Sequence, residues 1–240
     1  MIRVGLTSHF GIDYHYNKHW IFEQKVVRSN EKHYDCAIGF LQGRSTYMVV
    51  DKVCANKKIG YVHTDYVRAN YDIEFDRPYF RQLDTIVVVS EAAKTELAQV
   101  FPEFARKIHV LHNIVSEHEC IRLANEVGKP FCDESTTRIL TVGRLSHVKG
   151  YHLAIMALGI LRNEGYDVDW YAVGAGQEEQ RIREMISENN MERYFHLLGE
   201  KVNPYPYIKH ADLYVQPSLW EGWGIAIQEA LILNKVVVST

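Results

Sequence analysis

The chain has 240 residues, 47% hydrophobic and 24% charged, with 27 basic against 30 acidic side chains and a formal net charge of −3. This is an ordinary globular composition for one large or two modest domains, without the basic excess that wholesale nucleic-acid binding requires. Cys36, Cys54, Cys120 and Cys132 show no C-x-x-C spacing and read as reduced thiols of a cytosolic protein. No apolar run approaches the roughly 18 residues of a membrane span, and the polar, His- and Tyr-rich start is not a secretory signal.

The first 35 residues carry little pattern beyond a strand near 2–7 and a helix near 20–27. Strand-like runs then recur at 36–40, 57–62, 85–90, 107–113, 138–143, 168–174, 194–199, 213–218 and 235–240. Several hold consecutive apolar residues, the pattern of strands covered on both faces in a parallel sheet. Helical periodicity is clearest at 91–101, 150–165 and 177–190. Alternation of the two kinds predicts an α/β class with right-handed crossovers. A Gly, Pro and polar cluster at 128–137 reads as a linker, dividing the chain into units of 1–130 and 131–240.

In an open parallel sheet, ligands bind beyond the carboxyl ends of the strands. The loop after 138–143 carries Gly143, Arg144, Ser146, Lys149 and Gly150; the loop after 168–174 reads AGQEEQ; the loop after 213–218 reads LWEGWG. Glycines, two cations and an acid on one edge suit a small molecule bearing phosphates and hydroxyls. Arg144, with its planar fork, and Lys149, as a point charge, suit a diphosphate. Gly222 and Gly224 let backbone approach closely, and a helix starting near Ile225 favours an anion at its amino end. Glu229 falls about two helical turns beyond Glu221, so the two carboxylates serve separate sets of hydroxyls instead of sharing a proton.

The segments GRLSHVKG and PSLWEGWGIAIQEAL together resemble the retaining, nucleotide-sugar-dependent glycosyltransferases of family 4. Their signature is E-x₇-E, whose two positions are Glu221 and Glu229 here. GYVHTD, VVVSEAAKTEL and VLHNIV are similar to the family's corresponding segments, so the likeness spans about 35–240. The resemblance implies a GT-B fold, two Rossmann-like domains with parallel sheets facing across a cleft. The acceptor side is 1–130 and the donor side 131–240. It implies a nucleotide diphosphate sugar as donor, a carbohydrate or lipid-linked acceptor, and no metal. Arg144 and Lys149 would hold the diphosphate, and Glu221 with Gly222, Trp223, Gly224 and Ile225 the sugar and phosphate. Glu229 would hold the ribose. His63 would reach donor sugar and acceptor across the cleft. The expected setting is polysaccharide or glycan assembly in the cytoplasm, with room for peripheral contact at the inner face of the membrane.

Blander readings stand beside these. Glu221 and Glu229 suit a helix-start acid and a solvated helix face, Arg144 and Lys149 surface charges, and His63 a structural histidine; Trp223 either meets the sugar or packs. His109, His112 and His118 read as structural rather than metal-binding, and His9, His15 and His19 have no assignment. The family begins with an apolar strand and a glycine-rich loop that MIRVGLTSHFG lacks, and continues past the strand at 235–240, so the expectation is a chain incomplete at both ends, prone to self-association through the surfaces so exposed. Two other functions fit the same fold: a nucleotide-sugar 2-epimerase, and a non-catalytic donor-binding module.

Overall fold

The computed structural model describes residues 16–126, 130–131 and 136–240. The expected strand near 2–7, His9, His15, Cys132 and part of the expected linker lie outside the described residues. The chain divides into two compact units, Met1–Asn113 and Ile114–Thr240.

All nine expected strands form, and each sheet is wholly parallel. In the first unit β1 (Asn30–Gly39), β2 (Val53–Val62), β3 (Thr85–Val88) and β4 (Ile108–Val110) lie side by side in that order. β1 and β2 start earlier than expected, with Asn30 opposite Val53: the amino half of β1 is polar and exposed, and that of β2 (Val53, Cys54, Ala55, Asn56) is only partly buried and lacks a run of large apolar residues. The helix expected near 20–27 is a single short turn, α1 (Trp20–Glu23), whose Trp20 is buried with its indole N–H donating to Asp51 at 2.7 Å. Two helices without a clear sequence signal follow. α2 (Arg44–Lys52) is short, and α3 (Ile73–Gln82) holds an internal proline, Pro78, that argues against a helix. α4 (Glu91–Val100) lies where expected, capped by the Ser90 hydroxyl accepting from Ala93 N–H at 3.1 Å. The core gathers Val62, Ile86, Val88, Phe80, Leu97 and Phe101. Beside it the buried Asp76 carboxylate accepts from the hydroxyls of Tyr47 and Tyr66, the latter at 2.5 Å. Burial, then the charge of Asp76, pushes the Tyr66 phenol far above its usual range and keeps it a donor.

The second unit begins with α5 (Glu117–Ala124) and then carries β5 (Thr137–Val142), α6 (Tyr151–Asn163), β6 (Val168–Val173), α7 (Glu179–Glu188) and β7 (Phe195–Gly199). It closes with α8 (Tyr205–His210), β8 (Leu213–Gln216), α9 (Ile225–Ile232) and β9 (Val236–Ser239), the strand order being β7-β6-β5-β8-β9. The consecutive apolar residues have their predicted cause. Ile139 and Ala172 pack under α6 and α7, whereas their neighbours Leu140 and Val173 pack with Ile208, Tyr214 and Ala230 on the opposite face. α5 lies against α8 and α9, with Cys120 and Ala124 buried and the Asn203 amide donating to Leu123 O at 2.8 Å. That packing puts the division of the chain after Asn113, ahead of the expected 130. At the amino ends of β5 and β8 the Arg138 guanidinium grips Asp212 by two bonds of 2.9 and 3.0 Å. β9 bears exposed Val236 and Val238.

Asp76→Ala removes the shared acceptor of two buried hydroxyls. It is expected to lower the unfolding free energy by about 1–3 kcal/mol for each hydroxyl left unsatisfied. Urea unfolding followed by intrinsic fluorescence measures this, and an unchanged midpoint would show that the network does not stabilise the unit.

Candidate functional site

Strand order reverses between β5 and β8, and in such sheets the loops leaving those two strands part to form a crevice. The loops here are drawn together by backbone contacts that only glycine allows. Gly150, at φ 66°, would place a Cβ 1.7 Å from Pro217 O, and Gly174, at φ 151°, would place one 2.0 Å from Gly143 O. Leu219 N–H donates to Val148 O at 2.7 Å, and Leu145 N–H to Ala175 O at 3.0 Å. The loops after β5, β6 and β8 thus form one continuous rim.

Lys149 and Glu221 meet on that rim. The Lys149 ammonium lies 2.5 Å from Glu221 Oε1, both side chains about a quarter exposed. The same oxygen accepts from the Ser218 hydroxyl at 2.7 Å and the Gln216 amide at 3.0 Å. Behind them the Tyr214 hydroxyl donates to Gln216 Oε1 at 2.7 Å. Tyr214, Gln216 and Ser218 are all buried, so Glu221 ends a polar chain running out of the sheet.

Arg144 stands apart from this network. Its guanidinium is exposed and has no ion pair among the described residues. It lines a pocket of about 290 Å³ at the carboxyl ends of β5, β6 and β7, together with Gly143, Gly174, Ala175, Glu200 and Lys201. Lys201 is a second cation at this pocket and has no ion pair among the described residues. It follows β7, whose loop carries no motif, and only its place on the same sheet edge would have pointed to it.

Glu229 lies on α9, half-buried, with Oε1 accepting from the Tyr205 hydroxyl at 2.8 Å. Burial pushes its carboxyl above the usual carboxylate range, and the Tyr205 bond partly opposes this. Gly222, Trp223 and Gly224 are half-buried in the loop ahead of α9, and Ile225, at its first turn, is exposed.

His63 belongs to the first unit, just past β2. Its backbone N–H donates to Gln42 Oε1 at 3.1 Å, and its ring stacks on Tyr61 at 5.4 Å beside Phe40. Burial pushes its pKa down against a backbone hydrogen bond at Phe40, which favours the neutral imidazole, and its buried Nε2 has no partner among the described residues. His112 bonds Val89 O at 3.0 Å, and the exposed His118 lies 3.5 Å from Glu119. Among the described residues no group of three or more His, Cys, Asp or Glu side chains is placed to hold a metal, and no helix is long and apolar enough to cross a membrane.

Residues 125–240 match the profile described as glycosyl transferases group 1. An uncharacterized glycosyltransferase of Methanocaldococcus jannaschii is 26% identical over 165 residues, covering 68% of this chain and 41% of that protein. The N-acetylgalactosamine-N,N'-diacetylbacillosaminyl-diphospho-undecaprenol 4-alpha-N-acetylgalactosaminyltransferase of Campylobacter jejuni is 24% identical over 221 residues, covering 91% of this chain and 57% of the relative. The chain therefore spans about half the length of the curated relatives it matches. Among solved structures, Anabaena HepE in complex with UDP and glucose superposes with a TM-score of 0.64 at 20% identity, over 76% of this chain and 52% of that one. Two parallel Rossmann-like sheets and this likeness make the fold GT-B.

The raised pKa of Glu229 has a consequence for stability. A carboxyl that holds its proton more tightly when folded favours the folded state most at low pH. That contribution is lost as pH rises from the ordinary carboxylate range through the folded pKa. Glu229→Gln removes the titration, so the variant is expected to gain stability relative to the parent as pH rises from about 4.5 to 7. Urea midpoints at the two pH values measure it; a relative loss would mean that Tyr205 outweighs burial.

Proposed function

We propose that this chain, whose residues 125–240 belong to the glycosyl transferases group 1 family, works in transferring a sugar from a nucleoside diphosphate to an acceptor hydroxyl. The transfer retains anomeric configuration and serves cell-surface polysaccharide or glycan assembly. The observation that carries the reading is the rim at the switch point. The Lys149–Glu221 pair stands there beside a pocket lined by two cations, Arg144 and Lys201, that have no ion pair among the described residues. HepE, a structural neighbour, was solved with UDP and glucose, and the Campylobacter relative is named for building a lipid-linked glycan.

In this reading Arg144 and Lys149 bind the diphosphate, Arg144 through its forked donors and Lys149 as a charge held in place by Glu221. Backbone N–H groups from Gly222 to Ile225, at the positive end of α9, add to the same field. Glu221 uses its second oxygen for hydroxyls of the transferred sugar, and Glu229 meets the ribose. His63 supplies a neutral imidazole toward the donor sugar and acceptor. The acceptor hydroxyl oxygen bonds to the anomeric carbon on the face from which the nucleotide departs as the bond from that carbon to the diphosphate oxygen breaks; its proton passes to the departing phosphate oxygen, and the cations stabilise the charge that develops on the leaving diphosphate. Because protein cations fill that role, the reaction runs without a divalent metal.

Arg144→Ala is expected to weaken UDP, GDP or ADP, whichever binds, by about 1.5–3 kcal/mol, the scale of a charged hydrogen bond. Calorimetry giving equal affinities would remove Arg144 from the site. Chelators are expected to leave nucleotide binding unchanged. Labelled donors separate the alternatives: donor epimerised without transfer, or bound without turnover, would overturn the transferase reading.

A further inference from the structure

The Glu229 carboxylate meets the described protein at one oxygen. Oε1 takes the Tyr205 hydroxyl at 2.8 Å, and no described residue is hydrogen-bonded to Oε2. Tyr205 opens α8, directly after Pro204 of the Arg144 pocket, and no part of the E-x₇-E element contains it. Its own position is fixed twice. Its backbone N–H donates to Asn203 Oδ1 at 3.1 Å, and Asn203 in turn donates to Leu123 O of α5 at 2.8 Å. The buried Cys120 thiol of α5 lies against the phenol as well. Burial, then the bond to Glu229, pushes the phenol pKa up, so Tyr205 stays a protonated donor across the working range.

A buried tyrosine so placed could be a packing residue with a convenient hydrogen bond. Two features argue otherwise. Glu229 is half-buried, and the one hydrogen bond that a described residue makes to its carboxyl comes from the Tyr205 phenol, so Tyr205 sets which way that carboxyl turns. Its one hydrogen-bond partner among the described residues engages one oxygen and leaves the other, the arrangement needed to receive hydroxyls of a ligand in a fixed direction.

We propose that Tyr205 is the positioning residue of the nucleotide site: by holding Oε1 of Glu229 it reserves Oε2 for the ribose hydroxyls, and so sets the preference for ribonucleotides over 2′-deoxyribonucleotides. The inference rests on the reading that Glu229 meets the ribose. Tyr205 need not touch the nucleotide. Its effect passes through the orientation of Glu229.

The test uses the 240-residue chain and calorimetry with UDP, GDP and ADP, each beside its 2′-deoxy counterpart. The parent is expected to prefer the ribose form by about 10-fold or more, the scale of one charged hydrogen bond. Tyr205→Phe is expected to cut that preference to about threefold or less while affinity for the deoxy form stays within about twofold. A residue that only packs would weaken both forms alike, and that result, or an undiminished preference, overturns the proposal. In a Glu229→Gln background Tyr205→Phe is expected to change the preference no further; an additional loss of similar size would mean that Tyr205 acts independently, and would also overturn it. Should Tyr205→Phe fail to fold, Tyr205→His, which keeps a ring donor, is read instead. A preference above that of Glu229→Gln supports the proposal, and one at that level refutes it. A parent chain that binds none of the three nucleotides brings down the functional reading and this inference together. Binding with the preference intact in Glu229→Gln brings down the Glu229 assignment and the inference with it. The preference lost in Glu229→Gln but kept in Tyr205→Phe brings down the inference alone.

Discussion

One carboxylate oxygen organises the second unit's rim. Glu221 Oε1 receives an ammonium, an amide and a hydroxyl, from Lys149, Gln216 and Ser218. Gln216 and Ser218 are buried and would be costly without an acceptor, and the carboxylate would be costly there without donors. Each therefore secures the other, and the loop after β8 is held against the loop after β5. The same two strands are joined at their opposite ends by Arg138 and Asp212. β5 and β8 are thus clamped at both ends, and the crevice between their loops has a defined width.

The two signature carboxylates are treated differently by the fold. Glu221 is stabilised by its surroundings, because three donors meet it at the end of a polar chain. Glu229 is tolerated by its surroundings: burial raises its pKa, and a single phenol compensates in part. Cations show the complementary pattern. Lys149 has its partner, whereas Arg144 and Lys201 face the pocket without ion pairs among the described residues.

The first unit keeps its polar interior by a related device. Tyr47 and Tyr66 both donate to Asp76, and Tyr66 follows His63 by three positions, so the segment carrying His63 is anchored at its far end. Lysines perform the more local task of closing helices: Lys58 donates to Val50 O, Lys107 to Arg81 O and Leu83 O, and Lys235 to Lys209 O and Ala211 O. Each supplies a donor to carbonyls near a helix end that the helix itself leaves unpaired.

The nine strands, the α/β class and the helices α4, α6, α7 and α9 were legible in the amino-acid sequence, since doubly covered strands require consecutive apolar residues and long helices require periodicity. The rim loops were legible too, as glycines and charges at the carboxyl end of each strand. The amino halves of β1 and β2 were not, because exposed polar residues in β1 and small, partly buried ones after Val53 in β2 leave little burial pattern. Neither was α3, whose Pro78 signals a break that the surrounding aromatic packing overrides, nor the allegiance of α5, whose amphipathic face does not say which unit it will cover. Local chemistry therefore named Arg144, Lys149, Glu221 and Glu229. Tertiary structure alone decided that Lys149 pairs with Glu221, that Gln216 and Ser218 complete that pair, that Lys201 joins Arg144, and that Tyr205 holds Glu229. All of these depend on which strands become neighbours, and strand order follows from the packing of whole layers, beyond the reach of any local pattern.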